Sequence, residues 1–392
     1  MMTDFDAIII GGGASGLMCA ITAGQRGRRV LLLERAEKVG KKILISGGGR
    51  CNFTNLHVSA ENYLSKNPHF CKSALSRFTP ADFIALVEKH GIRYHEKTAG
   101  QLFCDGSAAE IVQMLLAECA AAGVEIQTGC TVESIRQDEV FSVRTNFGEY
   151  RAASLVIATG GLSIPKMGAT DFGLRVAKQF GLKVVPPSPG LVGVRLGGAE
   201  LRALNGLSGV SVTVEVSCSG QSFREAILFT HHGLSGPAIL QISNYWRRGQ
   251  SITIDFLPDV DLAELISERQ KTHPNATLKT PLSEWLPKRL VQRWLAPPFD
   301  TKKLKQLLPD EVDAVARAFQ AWEVSPTGTE GFKKAEVTRG GVDTAELSSK
   351  TFETKRVRGL FFIGETVDVT GWLGGYNFQW AWASGWCAGQ FV

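Results

Sequence analysis

Near its start the chain carries a largely apolar run, Phe5-Asp6-Ala7-Ile8-Ile9-Ile10, with the length and density of a buried strand. A glycine-rich turn, Gly11-Gly12-Gly13-Ala14-Ser15-Gly16, interrupts it. Residues 17–25 then read as a helix, and 30–33 as a second apolar strand ending on Glu34. Between 105 and 123 the apolar spacing becomes helical (Ile111, Met114, Leu115, Cys119), and short strands follow at 124–127, 132–135 and 141–145. Residues 155–158 form another buried strand, closing on Thr159-Gly160-Gly161. After Pro186-Pro187-Ser188-Pro189 the pattern changes. Stretches 191–195, 210–217 and 251–257 alternate or cluster β-branched residues, whereas 259–320 reads as helices broken at Pro274, Pro287, Pro297-Pro298 and Pro309. Strand character returns at 335–342 and 360–363. A last helix begins near Tyr376, with Ala381, Ser384, Gly385 and Ala388 as a stripe of small residues suited to close packing. No internal repeat or low-complexity tract appears.

The order strand, glycine turn, helix, strand, acid is that of a dinucleotide-binding unit. Gly11 permits the tight turn, Gly13 lets the backbone approach a pyrophosphate, and Gly16 lets helix and strand pack closely. Ala14 and Ser15 open the helix, whose free N–H groups and partial positive charge suit phosphate. Glu34 is placed to accept from a ribose 2′-OH, with Arg35 beside it, and its charge disfavours a 2′-phosphate. The motif alone leaves FAD and NAD unseparated. The expected fold is α/β: a discontinuous Rossmann-like domain at 1–190 and 340–392, a β-rich insert at 191–258 and 325–339, and a helical subdomain at 259–324.

The stretch from Gly40 to Asn55, G-K-K-I-L-I-S-G-G-G-R-C-N-F-T-N, reads as neither a core strand nor a regular helix. Consecutive glycines at Gly47, Gly48 and Gly49 are costly to order, and folded chains keep them where the backbone must approach something closely. Lys42, Ser46, Arg50 and Asn52 add hydrogen-bonding groups to the same short loop. The alternative is a solvated loop. In this run the chain resembles the YhiN/BaiN-like flavoproteins. The resemblance continues through Thr159-Gly160-Gly161, the T-H-x-G-x-S-G-P segment at 230–237, Gly364-Glu365, and Gly374-Gly375-Tyr376-Asn377. It implies that the 40–55 loop wraps FAD, and that the cofactor is FAD rather than NAD. It also implies a two-dinucleotide-fold flavoprotein, with Glu365 standing where many flavoproteins carry Asp. Gly374 and Gly375 lead into the last helix, whose N–H groups would face the flavin N1/O2 edge, where reduction places negative charge.

No second glycine fingerprint followed by an acid appears, so NAD(P)H, if it is the electron donor, visits the flavin transiently or binds an unusual site. Candidate acids are His231 and His232, histidine being the side chain that titrates near neutrality. Cys51, whose pKa Arg50 would lower, and Tyr376 are further candidates. Each has a bland counterpart: a positioning histidine, a packed thiol, a helix cap. Pro237 suits a first helical turn, with Ser235 as its cap. Arg339, before Gly340-Gly341, is a candidate for holding an anion.

Eight scattered cysteines without a C-x-x-C pair argue against a disulfide framework, a redox disulfide or a metal site. Without an apolar run of membrane-spanning length, and with Asp4 and Asp6 where a signal peptide would be basic, the expectation is a cytoplasmic protein without membrane partners. Net charge is a modest +5. Lys288, Arg289, Arg293, Lys302, Lys303 and Lys305 nonetheless form a basic stretch in the helical part, which meets phosphates if clustered on one face. Trp285, Trp294 and Trp322 read as core at helical spacing. Members of the resembled family reduce conjugated C=C bonds or oxidise small amines, and the YhiN branch, nearest by residues 67–75 and 100–104, is linked to dihydrouridine in 23S ribosomal RNA. The implied activity is hydride transfer from reduced FAD to uracil C6, with an acid or water protonating C5. Alternatives are a small-molecule flavin oxidase or reductase, and a non-catalytic flavin-binding protein.

Overall fold

The Phe5–Ile10 strand is almost wholly buried because it has a strand on either side. In the computed structural model, which describes residues 4–392, it pairs in parallel with Val30–Leu33 and with the last six residues of Gly148–Ile157. Glu125–Gln127 extends the sheet beyond Val30–Leu33. Gly148–Ile157 is a hinge between two pairings. Its first half runs antiparallel to Phe141–Thr145, and its last three residues run parallel to Leu360–Phe362, which brings the C-terminal part of the chain home to the sheet. These elements belong to one compact unit, everything up to Ser188 together with Val337–Val392. Burial on both faces explains why its parallel strands read as continuous apolar runs.

The Ala14–Gln25 helix packs on the terminal helix, Tyr376–Gly389. Small residues set that distance: a Cβ at Gly385 would lie 3.1 Å from Met18 Cβ, and one at Gly389 2.6 Å from Thr22 Cβ. The other side of the terminal helix faces the glycine-rich loop. Trp382 stacks on Phe83 with centroids 4.3 Å apart, and its Nε1 donates to the Phe53 carbonyl at 2.8 Å. Such a stacked pair adds about 0.5–1.5 kcal/mol beyond its buried area. Part of the 40–55 segment is more regular than its glycines suggest. Lys41–Ile45 is a short helix, Ser46–Gly49 a 3₁₀ turn, and Asn52–Asn55 a strand paired with Gln101–Cys104.

Residues 189–336 form the second unit. Its antiparallel sheet runs, in spatial order, Trp322–Val324, Ile252–Asp255, Ser211–Cys218, Gln221–Phe229, Gly233–Ser235, Val194–Arg195 and Gly328–Thr329. The strand expected at 191–195 shrinks to its last two residues, and Gln221–Phe229 is a long hairpin partner that the apolar pattern did not reveal. Helices Leu262–Thr272, Lys279–Trp285, Lys288–Trp294 and Pro309–Gln320 lie in the same unit. Pro287 and Pro309 bound helices as expected. Pro281 sits inside one, in the first turn, where its missing N–H has no intrahelical partner to lose. Phe229, Phe256, Trp294 and Trp322 pack edge-to-face and stacked as an aromatic core.

Gln379 is fully buried in the terminal helix; its Oε1 accepts from Thr54 Oγ1 at 2.7 Å and its Nε2 donates to the Phe78 carbonyl at 2.9 Å. Gln379→Leu strands both partners and should destabilise the fold by about 1–3 kcal/mol, part of which Thr54→Val restores in the double variant. Urea unfolding midpoints check this; a Gln379→Leu protein as stable as the parent would contradict it.

Candidate active site

The glycine turn at the C-terminal end of Phe5–Ile10 has the contacts its spacing predicts. Gly11 (φ 114°) lies against the Ala158–Thr159 backbone, a Cβ on Gly16 would lie 3.2 Å from that of Ala158, and a Cβ on Gly13 would meet nothing within 4 Å. The Ala14–Gln25 helix starts at Gly13 without a side-chain cap. Its first N–H groups therefore keep their donor capacity for a ligand. Glu34 is held in place: Oε2 accepts from the Gly12 N–H at 2.8 Å and Oε1 from the Ala36 N–H at 2.7 Å. Each oxygen retains a lone pair for a ribose hydroxyl. Arg35 reaches the Gly168 carbonyl at 2.6 Å.

Other predicted segments meet this turn. A Cβ on Gly364 would lie 2.9 Å from that of Ser15. Gly161 lies beneath Thr338 and Glu365; a Cβ there would be 2.5 Å from Thr338 Cβ and 2.8 Å from Glu365 Oε1. Glu365 joins two segments, since Oε1 accepts from the Thr338 N–H at 2.8 Å and Oε2 pairs with Lys42 Nζ at 2.7 Å. Thr338 Oγ1 in turn accepts from the Leu162 and Ser163 N–H groups. Thr159 Oγ1 is buried without a partner, and Gly48, Gly49 and Gly160 have open space where a Cβ would stand.

The glycine-rich loop is fixed from the terminal helix. Gly375 (φ 96°) precedes Tyr376–Gly389, again without a side-chain cap, and its backbone lies against the Thr54 carbonyl and Asn52. Asn52, with its amide turned to satisfy its neighbours, accepts from the Gly375 N–H and donates to the Leu102 and Thr54 carbonyls, each at 3.2 Å. Asn55 Nδ2 donates to the Gly374 carbonyl at 2.9 Å, and Tyr63 OH to the Tyr376 carbonyl at 2.9 Å. Asn377 closes the turn before the helix through the Gly371 N–H and the Gly371 and Trp372 carbonyls. Tyr63, Thr338, Gln379, Trp382 and Trp380, whose Nε1 donates to the Gly364 carbonyl at 3.0 Å, thus support the site, although the sequence pattern assigns them no role. Gln379, Trp380 and Trp382 follow the Gly374–Asn377 run in the last helix, and their signal was a polar or donor-bearing residue in an otherwise packed helix.

Two expectations fail. Arg50 does not lower the Cys51 pKa: burial pushes the thiol up to about 12, with a smaller opposing effect from the Ser46 hydrogen bond, and Arg50 itself is exposed. Ser46 Oγ also donates to the Ile43 carbonyl at 2.7 Å. Ser235 does not cap the helix at Pro237; it is the last residue of a strand, and Gly236 (φ 88°) is the cap. Tyr376 is buried. His231 and His232 are exposed in the turn between Gln221–Phe229 and Gly233–Ser235, in the second unit. Arg339 Nε and Nη2 donate to Ser188 Oγ at 3.2 and 3.0 Å.

The family described as HI0933-like protein Rossmann domain matches residues 5–391. This chain belongs to that family. It is 54% identical, over 99% of its length and 98% of the relative's, to the Escherichia coli (strain K12) protein named ribosomal RNA dihydrouridine synthase. It is 48% identical over 96% of both chains to the Haemophilus influenzae protein of the same name. A Clostridium scindens 3-dehydro-bile acid delta(4,6)-reductase is 30% identical over 97% of both chains. The YhiN/BaiN-like identity, the Rossmann-type α/β fold and an FAD-dependent oxidoreductase are borne out.

The residues of this HI0933-like chain fit FAD. Gly13 and the uncapped start of Ala14–Gln25 would hold the pyrophosphate and Glu34 the adenosine ribose. The open glycines at 48, 49 and 160, the unpartnered Thr159 hydroxyl and the uncapped start of Tyr376–Gly389 would meet the remainder. Among the described residues no cluster of three or more His, Cys, Asp or Glu could hold a metal, and no helix is long and apolar enough to cross a membrane.

Glu34→Ala removes both the ribose acceptor and the partner of the Gly12 N–H. FAD affinity should fall roughly ten- to hundred-fold, with Glu34→Gln intermediate, as read by flavin fluorescence on titration. Unchanged affinity in Glu34→Ala would overturn this assignment. Cys51 should stay unlabelled by iodoacetamide at about pH 8 until the protein unfolds, since the thiolate is the reactive form. Peptide mass spectrometry reads this, and rapid labelling of the native protein would contradict the burial effect.

Proposed function

We propose that this chain reduces uridine to dihydrouridine in ribosomal RNA. The observation that carries the reading is full-length identity of 54% and 48% to two ribosomal RNA dihydrouridine synthases. Uracil C5=C6 is conjugated to the C4 carbonyl, so a hydride arriving at C6 leaves charge that a proton at C5 discharges. Bound FAD, once reduced, supplies that hydride.

What the chain contributes is position and charge. Gly374-Gly375 and the N–H groups opening Tyr376–Gly389 present partial positive charge, which favours the electron-rich form of the cofactor. Lys42, held by Glu365, adds a cation in the same unit. Of the candidate acids, Cys51 and Tyr376 are buried while His231 and His232 are exposed, so protonation at C5 is assigned to a histidine or to water. NAD(P)H as a transient donor, and a cytoplasmic setting, belong to the same proposal.

Mass-spectrometric mapping of dihydrouridine in 23S ribosomal RNA, from matched strains with and without this gene, tests the reading. Loss of one modified uridine, restored by the protein with FAD and a reductant, is the expected result. An unchanged map would move the assignment to small-molecule reduction, the activity named for the bile-acid relative.

A further inference from the structure

The basic residues of the second unit divide into two kinds once folded. Lys302 is paired with Glu311 at 2.5 Å, Lys279 lies 3.8 Å from Asp300, and Arg269 lies 2.9 Å from Glu284. The Lys288–Trp294 helix is different. Leu290 and Val291 bury its inner side, while Lys288, Arg289 and Arg293 are exposed on its outer side. Among the described residues no carboxylate lies within ion-pair distance of these three or of the exposed Arg202.

Their partners are main-chain carbonyls. Arg293 Nη2 donates to the Arg202 carbonyl at 3.0 Å, and Arg289 Nη2 donates to the carbonyls of Gly206 and Ser208. These bonds orient the Arg289 and Arg293 guanidinium groups and hold the Arg202 main chain beside them, yet leave every positive charge uncancelled. Trp285 stands three residues before Lys288, and it is not a core residue. Its side chain is 54% exposed, whereas Trp294 and Trp322 pack into the aromatic core. Trp285 ends the Lys279–Trp285 helix, just before the Lys288–Trp294 helix, so an exposed aromatic and the unpaired charges of Lys288, Arg289 and Arg293 belong to neighbouring stretches of chain.

We infer that the face formed by Trp285, Lys288, Arg289, Arg293 and Arg202 is an RNA-docking surface, with the cations on backbone phosphates and the indole stacked on an unpaired base. The inference rests on the ribosomal RNA reading above and adds the surface that reading lacks. Oriented guanidinium groups suit phosphate oxygens, and an aromatic face among cations suits a splayed base. The indole is what favours RNA over an acidic peptide, which needs only the charges. The surface docks the substrate and takes no part at the reacting atoms.

The test is fluorescence anisotropy of a labelled stem-loop RNA with unpaired uridines, titrated with the full FAD-loaded protein over a series of salt concentrations. Lys288→Gln/Arg289→Gln/Arg293→Gln should flatten the slope of log affinity against log salt by roughly 2 to 3. Trp285→Ala should weaken binding about ten-fold with the slope kept. A charge-matched control, Lys178→Gln/Lys333→Gln/Lys350→Gln, should bind as the parent does. Because Arg289 and Arg293 also hold the 202–208 segment, Lys288→Glu serves as a second variant; Lys288 makes no hydrogen bond or ion pair among the described residues. If Lys288→Glu and Trp285→Ala bind like the parent while the parent still forms dihydrouridine, the surface is wrong and the function stands. If the parent neither binds this RNA nor modifies ribosomal RNA, the function falls and the surface with it. Displacement of the RNA by polyglutamate, with Trp285→Ala silent, would replace RNA docking by simple acid binding.

Discussion

The buried hydrogen bonds between the terminal helix and the Asn52–Asn55 strand are the constraint on which the rest of the site depends. Gln379 binds Thr54 at 2.7 Å and Trp382 binds the Phe53 carbonyl at 2.8 Å, both away from solvent. Each is worth only about 0.5–1.5 kcal/mol when made, but an unpaired buried partner costs more, so the set admits one arrangement. Residues more than three hundred positions apart in sequence are thereby locked together. The glycine-rich loop, which has little packing of its own, takes its shape from the last helix of the chain.

That arrangement places two helix starts, at Ala14 and at Tyr376, in one unit without side-chain caps. One suits a pyrophosphate and the other the electron-rich edge of a reduced ring, because both present N–H groups and partial positive charge. Glu34 would give the opposite sign beside an adenosine ribose and disfavour a 2′-phosphate there. Close packing through Gly385 and Gly389 holds these two helices together in one core and would let both face the same ligand.

Much of this was legible in sequence because the parallel strands are apolar on both faces and bounded by glycines. Phe5–Ile10 and Val30–Leu33 were readable to the residue, and Glu34 followed from its place at a strand end. Gln221–Phe229 escaped because Glu225 interrupts its alternation: it lies in phase with the buried Phe223, Ile227 and Phe229, and its carboxylate accepts from Gln241 Nε2 there. Lys41–Ile45 escaped because five residues are too few to show a helical period. The thiol at Cys51 was misjudged for a different reason. Its neighbour in sequence, Arg50, is exposed, while the surroundings that burial supplies come from distant segments. Trp285 read as core because a spacing near three or four marks a helix face without telling which face is covered.

In the proposed reaction, uracil is reduced by electrons held on the chain's own flavin. Anaerobic mixing of the reduced FAD-loaded protein with ribosomal RNA lacking the modification tests it in one turnover. Flavin reoxidation should occur in step with the formation of one dihydrouridine per flavin. A flavin that stays reduced in the presence of the RNA, yet reoxidises promptly with oxygen or an enone, would contradict the account.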